Sequence, residues 1–172
     1  MSIKKLVLFI FTLVCLPVNA NVINHYKSKT FIAQSVKVLS PSLLEIHAHL
    51  TQDPTNISKL YIRTDGLIYD EGDQEKCDED ILSRNCKRLM DAINLATVQF
   101  RLGDNIGNSV FTGVVYVDGV NLRHTMLREG WYKFDYKKSR SHYDIILQKE
   151  AECRRKGIWS HVIYAPTDLR CQ

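Results

Sequence analysis

Between Ser109 and Ser160 the chain runs a β-rich segment, a tight turn, a short capped helix and a longer helix closed by glycine, an order that few folds require. Residues 109–117 (SVFTGVVYV) alternate Val110, Thr112, Val114 and Tyr116 with Phe111, Gly113, Val115 and Val117. Little on either side is polar, which predicts a strand buried on both faces. Asp118-Gly119 is a hairpin-type turn signal. Residues 121–129 read as a short capped helix stopped by Gly130, with Leu122, Met126 and Leu127 as its apolar stripe. An aromatic segment, 131–136, leads into a second helical pattern over 140–156. There Tyr143, Ile146, Leu147 and Ala151 recur at spacings of three and four ahead of Gly157. Both helices must pack against something, and the strands are the only candidate.

Upstream, the pattern is that of a small sheet. Residues 31–39 are rich in β-formers, Ser40-Pro41-Ser42 turns the chain, and over 43–50 Leu44, Ile46, Ala48 and Leu50 alternate with Glu45, His47 and His49. After a turn cluster at 52–56, Leu60 and Ile62 resume the alternation over 59–63. Residues 81–96 switch to helical period, with Leu82, Cys86, Leu89 and Ile93 on one stripe. Period two returns at Val98, Phe100 and Leu102, and 103–108 reads as a loop. Short strands with a few helices predict an α+β domain built on a closed or nearly closed barrel.

In VVYVDGVNLRHTMLREGWYKFDY and KEAECRRKGIWS the chain resembles the staphylococcal nuclease-like family, thermonuclease included. Domains of that family end in a strand, a "DG" turn, a short helix finishing in "REG" or "RQG", and a last helix followed by "IWS". The resemblance implies a five-stranded OB-fold barrel with about three helices, one inserted between strands and two at the end.

Residues 1–20 read as a signal peptide: Lys4-Lys5, an apolar run over 6–16, and Val18-Asn19-Ala20 as a small-residue cleavage site. The run is short for a membrane span. Thr12-Leu13-Val14 lacks the small residue that lipidation at Cys15 would need. Export, to the periplasm or the medium, is therefore expected, leaving 21–172 as a single domain with no transmembrane segment. Losing Lys4 and Lys5 takes the formal charge from +4 to +2, too little to announce a nucleic-acid binder. Charge is unevenly placed, acidic over 65–80 and basic over 123–156, and solvated surfaces are the commoner explanation of both.

The mature chain keeps Cys77, Cys86, Cys153 and Cys171, for which three pairings exist. An oxidising compartment and the lack of a C-x-x-C spacing favour disulfides over a metal site. The local pairs Cys77–Cys86 and Cys153–Cys171 are the favoured ones. Each would contribute on the order of 3 kcal/mol on a loop-entropy account.

The resemblance also implies a chemistry that this chain departs from. Active members of the family hold calcium with two aspartates and a backbone carbonyl, place a glutamate by the attacking water, and stabilise the transferring phosphoryl group with two arginines. Such a site needs hard oxygens for the metal and fixed positive charge for the phosphate. The family's "D-G-D" falls on Ser40-Pro41-Ser42, so Ser42 replaces a calcium aspartate. Its R-L-x-x-x-D-x-P-E pattern falls on residues 59–67, which puts Lys59 at the first arginine, Thr64 at the second aspartate and Leu67 at the glutamate. Val110 stands at the second arginine. A shift of one residue would offer Asp65 as a substitute carboxylate, and Lys59 would supply a point charge without the guanidinium fork.

Other constellations are weaker. Glu45, His47 and His49 share a strand face, for which ordinary solvent exposure is the commoner explanation than a zinc or copper site. His124 beside Arg123 and Arg128 would face a phosphate, or simply solvent. Tyr132, Phe134 and Tyr136 beside Lys133, Lys137 and Lys138 would stack bases over a basic strip, as single-strand binders do.

Three functional classes follow. The favoured one is an exported, catalytically degenerate nuclease-like domain, with neither metal nor cofactor, serving as a binding or structural subunit of an envelope or secretion assembly. Its protein partner would be read by the acidic stretch at 65–80 and the tail at 160–172. The second is a divergent calcium-dependent nuclease recruiting Asp65 or the acidic stretch for the metal and Lys59 as its electrophile. The third is a non-catalytic binder of nucleic acid or another polyanion.

Overall fold

The computed structural model describes residues 29–51, 53, 55–64, 66–68, 77, 84–137, 139–160 and 171. The expected leader, Asp65, nearly all of the acidic stretch, Lys138 and residues 161–170 lie outside them.

Five strands close into a barrel: β1 (Phe31–Ser40), β2 (Leu43–Ala48), β3 (Ser58–Thr64), β5 (Val98–Gly107) and β6 (Val110–Val117). β2, β3 and β5 turn alternate residues inward. β2 buries Leu44, Ile46 and Ala48, β3 buries Leu60, Ile62 and Thr64, and β5 buries Val98, Phe100 and Leu102. Antiparallel pairing runs in the order β3-β2-β1-β5-β6, and the barrel shuts by a parallel pairing of β3 with β6, from Tyr61↔Val110 to Thr64↔Gly113. Gly113 is required at that seam. A Cβ there would stand 2.8 Å from the Arg101 carbonyl oxygen and 2.9 Å from Ile62 Cγ2.

Two differences from the sequence expectations concern β5 and β6. β6 is buried on one face only, at Phe111 and Val115, while Val110, Thr112, Val114 and Tyr116 are half-buried. The expected loop at 103–108 is instead strand as far as Gly107, with register shifts at Leu102/Asn105 and Asn105/Gly107 that disguise the alternation. The turn itself is Asn108-Ser109, both at positive φ, which suits the twist of a two-residue hairpin loop.

Among the described residues, three helices complete the α+β architecture. Helix α1 (Arg84–Ile93) lies between β4 (Leu67–Ile68) and β5, and buries Cys86 and Leu89. Cys77 bonds to Cys86 with Cα atoms 5.7 Å apart, and its N–H donates to the Leu39 carbonyl at 2.8 Å, which ties Cys77 to both α1 and the barrel. After the short strand β7 (Val120–Asn121), helix α2 (Leu122–Arg128) starts where the Asn121 carboxamide accepts the Arg123 N–H at 3.0 Å. It buries Leu122, Met126 and Leu127. Strand β8 (Lys133–Phe134) pairs with β4 in a separate small sheet.

Helix α3 (His142–Cys153) is rotated relative to its expected stripe. Tyr143 and Ile146 are exposed, and the inward face is Asp144, Leu147, Gln148 and Ala151. Asp144 lies within ion-pair distance of Arg123 and His124, and Gln148 accepts the Phe134 N–H, and those partners, invisible to a hydrophobic pattern, fix the phase. Cys153 is bonded to Cys171, Cα atoms 5.2 Å apart, which attaches Cys171 to α3. No helix among the described residues is long and apolar enough to cross a membrane.

Candidate functional site

The positions that the sequence marks as a degenerate phosphodiester site are only partly brought together. At one end of the barrel, the turn after β1 meets the end of β3, where the Thr64 N–H donates to the Ser42 carbonyl at 3.1 Å. The Ser42 hydroxyl lies 3.2 Å from that of Ser40, and Thr64 is buried. Val110 enters the same seam opposite Tyr61. Lys59 does not join them. It stands five positions before Thr64, an odd offset, so period two places it on the outer face of β3, where its ammonium lies 2.9 Å from the Glu45 carboxylate. Leu67 packs into the core opposite Phe134.

Calcium binds through six to eight hard oxygens with carboxylates among them. Ser42, Thr64, Val110 and Leu67 supply two neutral hydroxyls and two aliphatic chains, which do not fit that ion. No group of three or more His, Cys, Asp or Glu side chains converges on a metal-sized site among the described residues.

Outside the barrel, Glu45 sits between Lys59 and His47, whose Nε2 is 3.1 Å away. The hydrogen bond from Lys59 holds Glu45 below its ordinary carboxylate range, and Glu45 in turn raises Lys59. Lys59 also lies over the Tyr61 ring at 5.5 Å. His49 turns away to the Asn56 carbonyl at 3.2 Å, so the three side chains do not converge.

The aromatic strip at 131–136 is divided by strand alternation. Tyr132 and Phe134 are core residues, 2% and 0% exposed, and are not open for base stacking. Lys133 points outward over Trp159, 5.8 Å from the ring, and Lys137 is exposed. Of the three rings only Tyr136 reaches solvent, edge-on against Phe134 at 5.0 Å. Gln148 holds this segment, accepting the Phe134 N–H at 2.5 Å and donating to the Tyr136 hydroxyl at 3.2 Å and to Glu152 at 2.7 Å.

The sequence reading missed the most distinctive cluster. Asp144 is fully buried between α2 and α3, with Arg123 Nη2 at 2.9 Å and His124 Nε2 at 3.3 Å. His124 also meets the Tyr143 ring edge-on at 4.9 Å, and the Tyr143 hydroxyl accepts from Arg128 at 3.2 Å. The one available signal was spacing, since Asp144 shares a helical face with Leu147, Gln148 and Ala151.

His124 titrates below its ordinary value of 6.5, chiefly because burial disfavours the imidazolium, with Arg123 and Arg128 adding to the effect and Asp144 opposing it. Protonation is thus harder in the folded than in the unfolded chain. Its contribution is fully present above the unfolded value and is lost as pH falls toward the folded one. The urea midpoint of the wild type is expected to fall between pH 7 and pH 5, and His124→Gln to flatten that slope. An equal slope in both proteins would assign the effect to other groups.

Set against known protein families and curated proteins, the chain matches none.

Proposed function

We propose that this chain is an exported, non-catalytic relative of the nuclease-like barrels, acting as a binding or structural subunit. The observation that carries this is the neutral seam at Ser42 and Thr64, with Lys59 turned outward into an ion pair with Glu45. The motif positions that would give a phosphodiester hydrolase its hard ligands and its arginines are here two neutral hydroxyls, Ser42 and Thr64, an aliphatic Val110 and an outward-turned Lys59. Two disulfides support an oxidising compartment, although they name no destination. The second class, a divergent nuclease, depends on Asp65 or the acidic stretch, and Asp65 and nearly all of that stretch lie outside the described residues. The third is weakened by the burial of Tyr132 and Phe134.

No calcium-dependent cleavage of DNA or RNA above background is expected. Loss of one donor to a developing oxyanion lowers turnover by about two to three orders of magnitude, and several mutually dependent groups are replaced here. The assay is digestion of single-stranded DNA with and without chelator. Cleavage that needs calcium and disappears in Lys59→Ala would overturn the proposal.

A further inference from the structure

We infer that the cleft between the β5–β6 pair and the start of α2 is a binding site for a small organic carboxylate with an apolar body. The cleft has a volume of about 290 Å³, at the small end of ligand pockets. Leu102, Val114 and Val115 give it apolar walls, and arginines from two separate elements line it, Arg101 from β5 and Arg123 from α2. Thr64, Thr112 and Asn121 complete the polar lining.

The charges of the two arginines differ in how they are met. Arg123 faces the buried carboxylate of Asp144, so its charge is balanced within the fold. Arg101 has no carboxylate within ion-pair distance among the described residues. It lies 5.4 Å over the Tyr116 ring and donates to the Tyr116 hydroxyl, which fixes the guanidinium without neutralising it. Arg101, at the edge of the cleft, therefore brings it one positive charge that no carboxylate among the described residues meets. A single carboxylate matches both that charge and the planar fork, whereas a phosphate dianion would carry a surplus negative charge. The other polar groups are already set. The Thr112 hydroxyl accepts the Asp104 N–H at 2.9 Å, and the Asn121 carboxamide oxygen is engaged at the helix cap, leaving its amide nitrogen to donate. The apolar walls then select an aliphatic or aromatic body over a bare anion. Such a carboxylate belongs either to a free acid or to the C-terminus of a peptide.

Amide chemical-shift titration with hexanoate tests the site directly and independently of any nuclease assay. Saturable shifts are expected at residues 101–103, 112–115 and 121–123. Affinity should fall about tenfold or more in Arg101→Ala and by less in Arg101→Lys, which keeps the charge and loses the fork. Lys137→Ala, a cation elsewhere on the surface, should leave it unchanged. Arg101 is exposed, and the spectra themselves report whether each variant is folded. A short leucine-ended peptide, with its terminus free or amidated, separates the two sources, and hexanoate or the free-ended peptide binding through Arg101 upholds the site. The inference falls if neither binds saturably, if Arg101→Ala binds as wild type does, if the amidated peptide binds equally well, or if inorganic phosphate binds more tightly than hexanoate.

Discussion

Replacing Asp144 with alanine is expected to lower stability by about 3–5 kcal/mol, the range for breaking a buried ion pair from one side. The carboxylate has no solvent exposure and lies within ion-pair distance of both Arg123 and His124. Its removal takes the negative charge away from two groups of the neighbouring helix and opens a void where α2 meets α3. Asp144→Asn keeps the volume and loses only the charge, so it should be the milder change. Coupling to Arg123 can be isolated by a double-mutant cycle. Arg123→Met with Asp144→Ala should be less destabilised than the sum of the single variants, because the second substitution no longer deprives a cation of its carboxylate. Urea unfolding at neutral pH measures all four proteins. A loss below about 1 kcal/mol in Asp144→Ala, the level of a surface pair, would mean that the cluster does not hold the helices together.

That cluster marks where the sequence stopped being informative. Alternation in β2 and β3 announced their inward faces, because a half-buried strand repeats every two residues whatever its partners are. Closure of the barrel was less legible. The parallel β3–β6 seam joins residues about fifty positions apart and leaves only Gly113 as a local trace. Helix α3 defeated the hydrophobic pattern because two of its inward residues are polar and matched by partners on other elements, Arg123 and His124 for Asp144 and the Phe134 N–H for Gln148. The candidate site was half legible for a similar reason. Motif spacing grouped Ser42 and Thr64, which are neighbours at one seam, with Lys59, whose direction is set by strand parity. Tyr132 and Phe134 read as a surface strip, although alternation turns them inward and Lys133 outward.

The largest single effect from a small substitution is expected at Gly157. It adopts φ +56, and a Cβ there would stand 2.0 Å from the Gly130 carbonyl oxygen and 2.7 Å from that of Glu129. Gly130 is the reciprocal case, at φ +64 with its own Cβ position 2.3 Å from the Lys156 carbonyl oxygen. The glycines after Arg128-Glu129 and Lys156 thus let two backbones touch. The Ile158 N–H then reaches the Gly130 carbonyl at 2.8 Å, which pins the end of α2 to the helical turn Gly157–Trp159. Left-handed backbone costs an alanine about 1–2 kcal/mol. Relieving the overlap would also break that hydrogen bond, so Gly157→Ala should lose about 3 kcal/mol or more in total. For a domain of this length that corresponds to a drop of roughly 10 °C in Tm. Gly119, at φ +79 with nothing within 4 Å of its Cβ position, supplies the control, since Gly119→Ala carries the strain without the collision. Because both alanines would widen the same gap, Gly130→Ala with Gly157→Ala should lose less than the sum of the two. Thermal melts in which Gly157→Ala falls no further than Gly119→Ala would show that this contact does not close the fold.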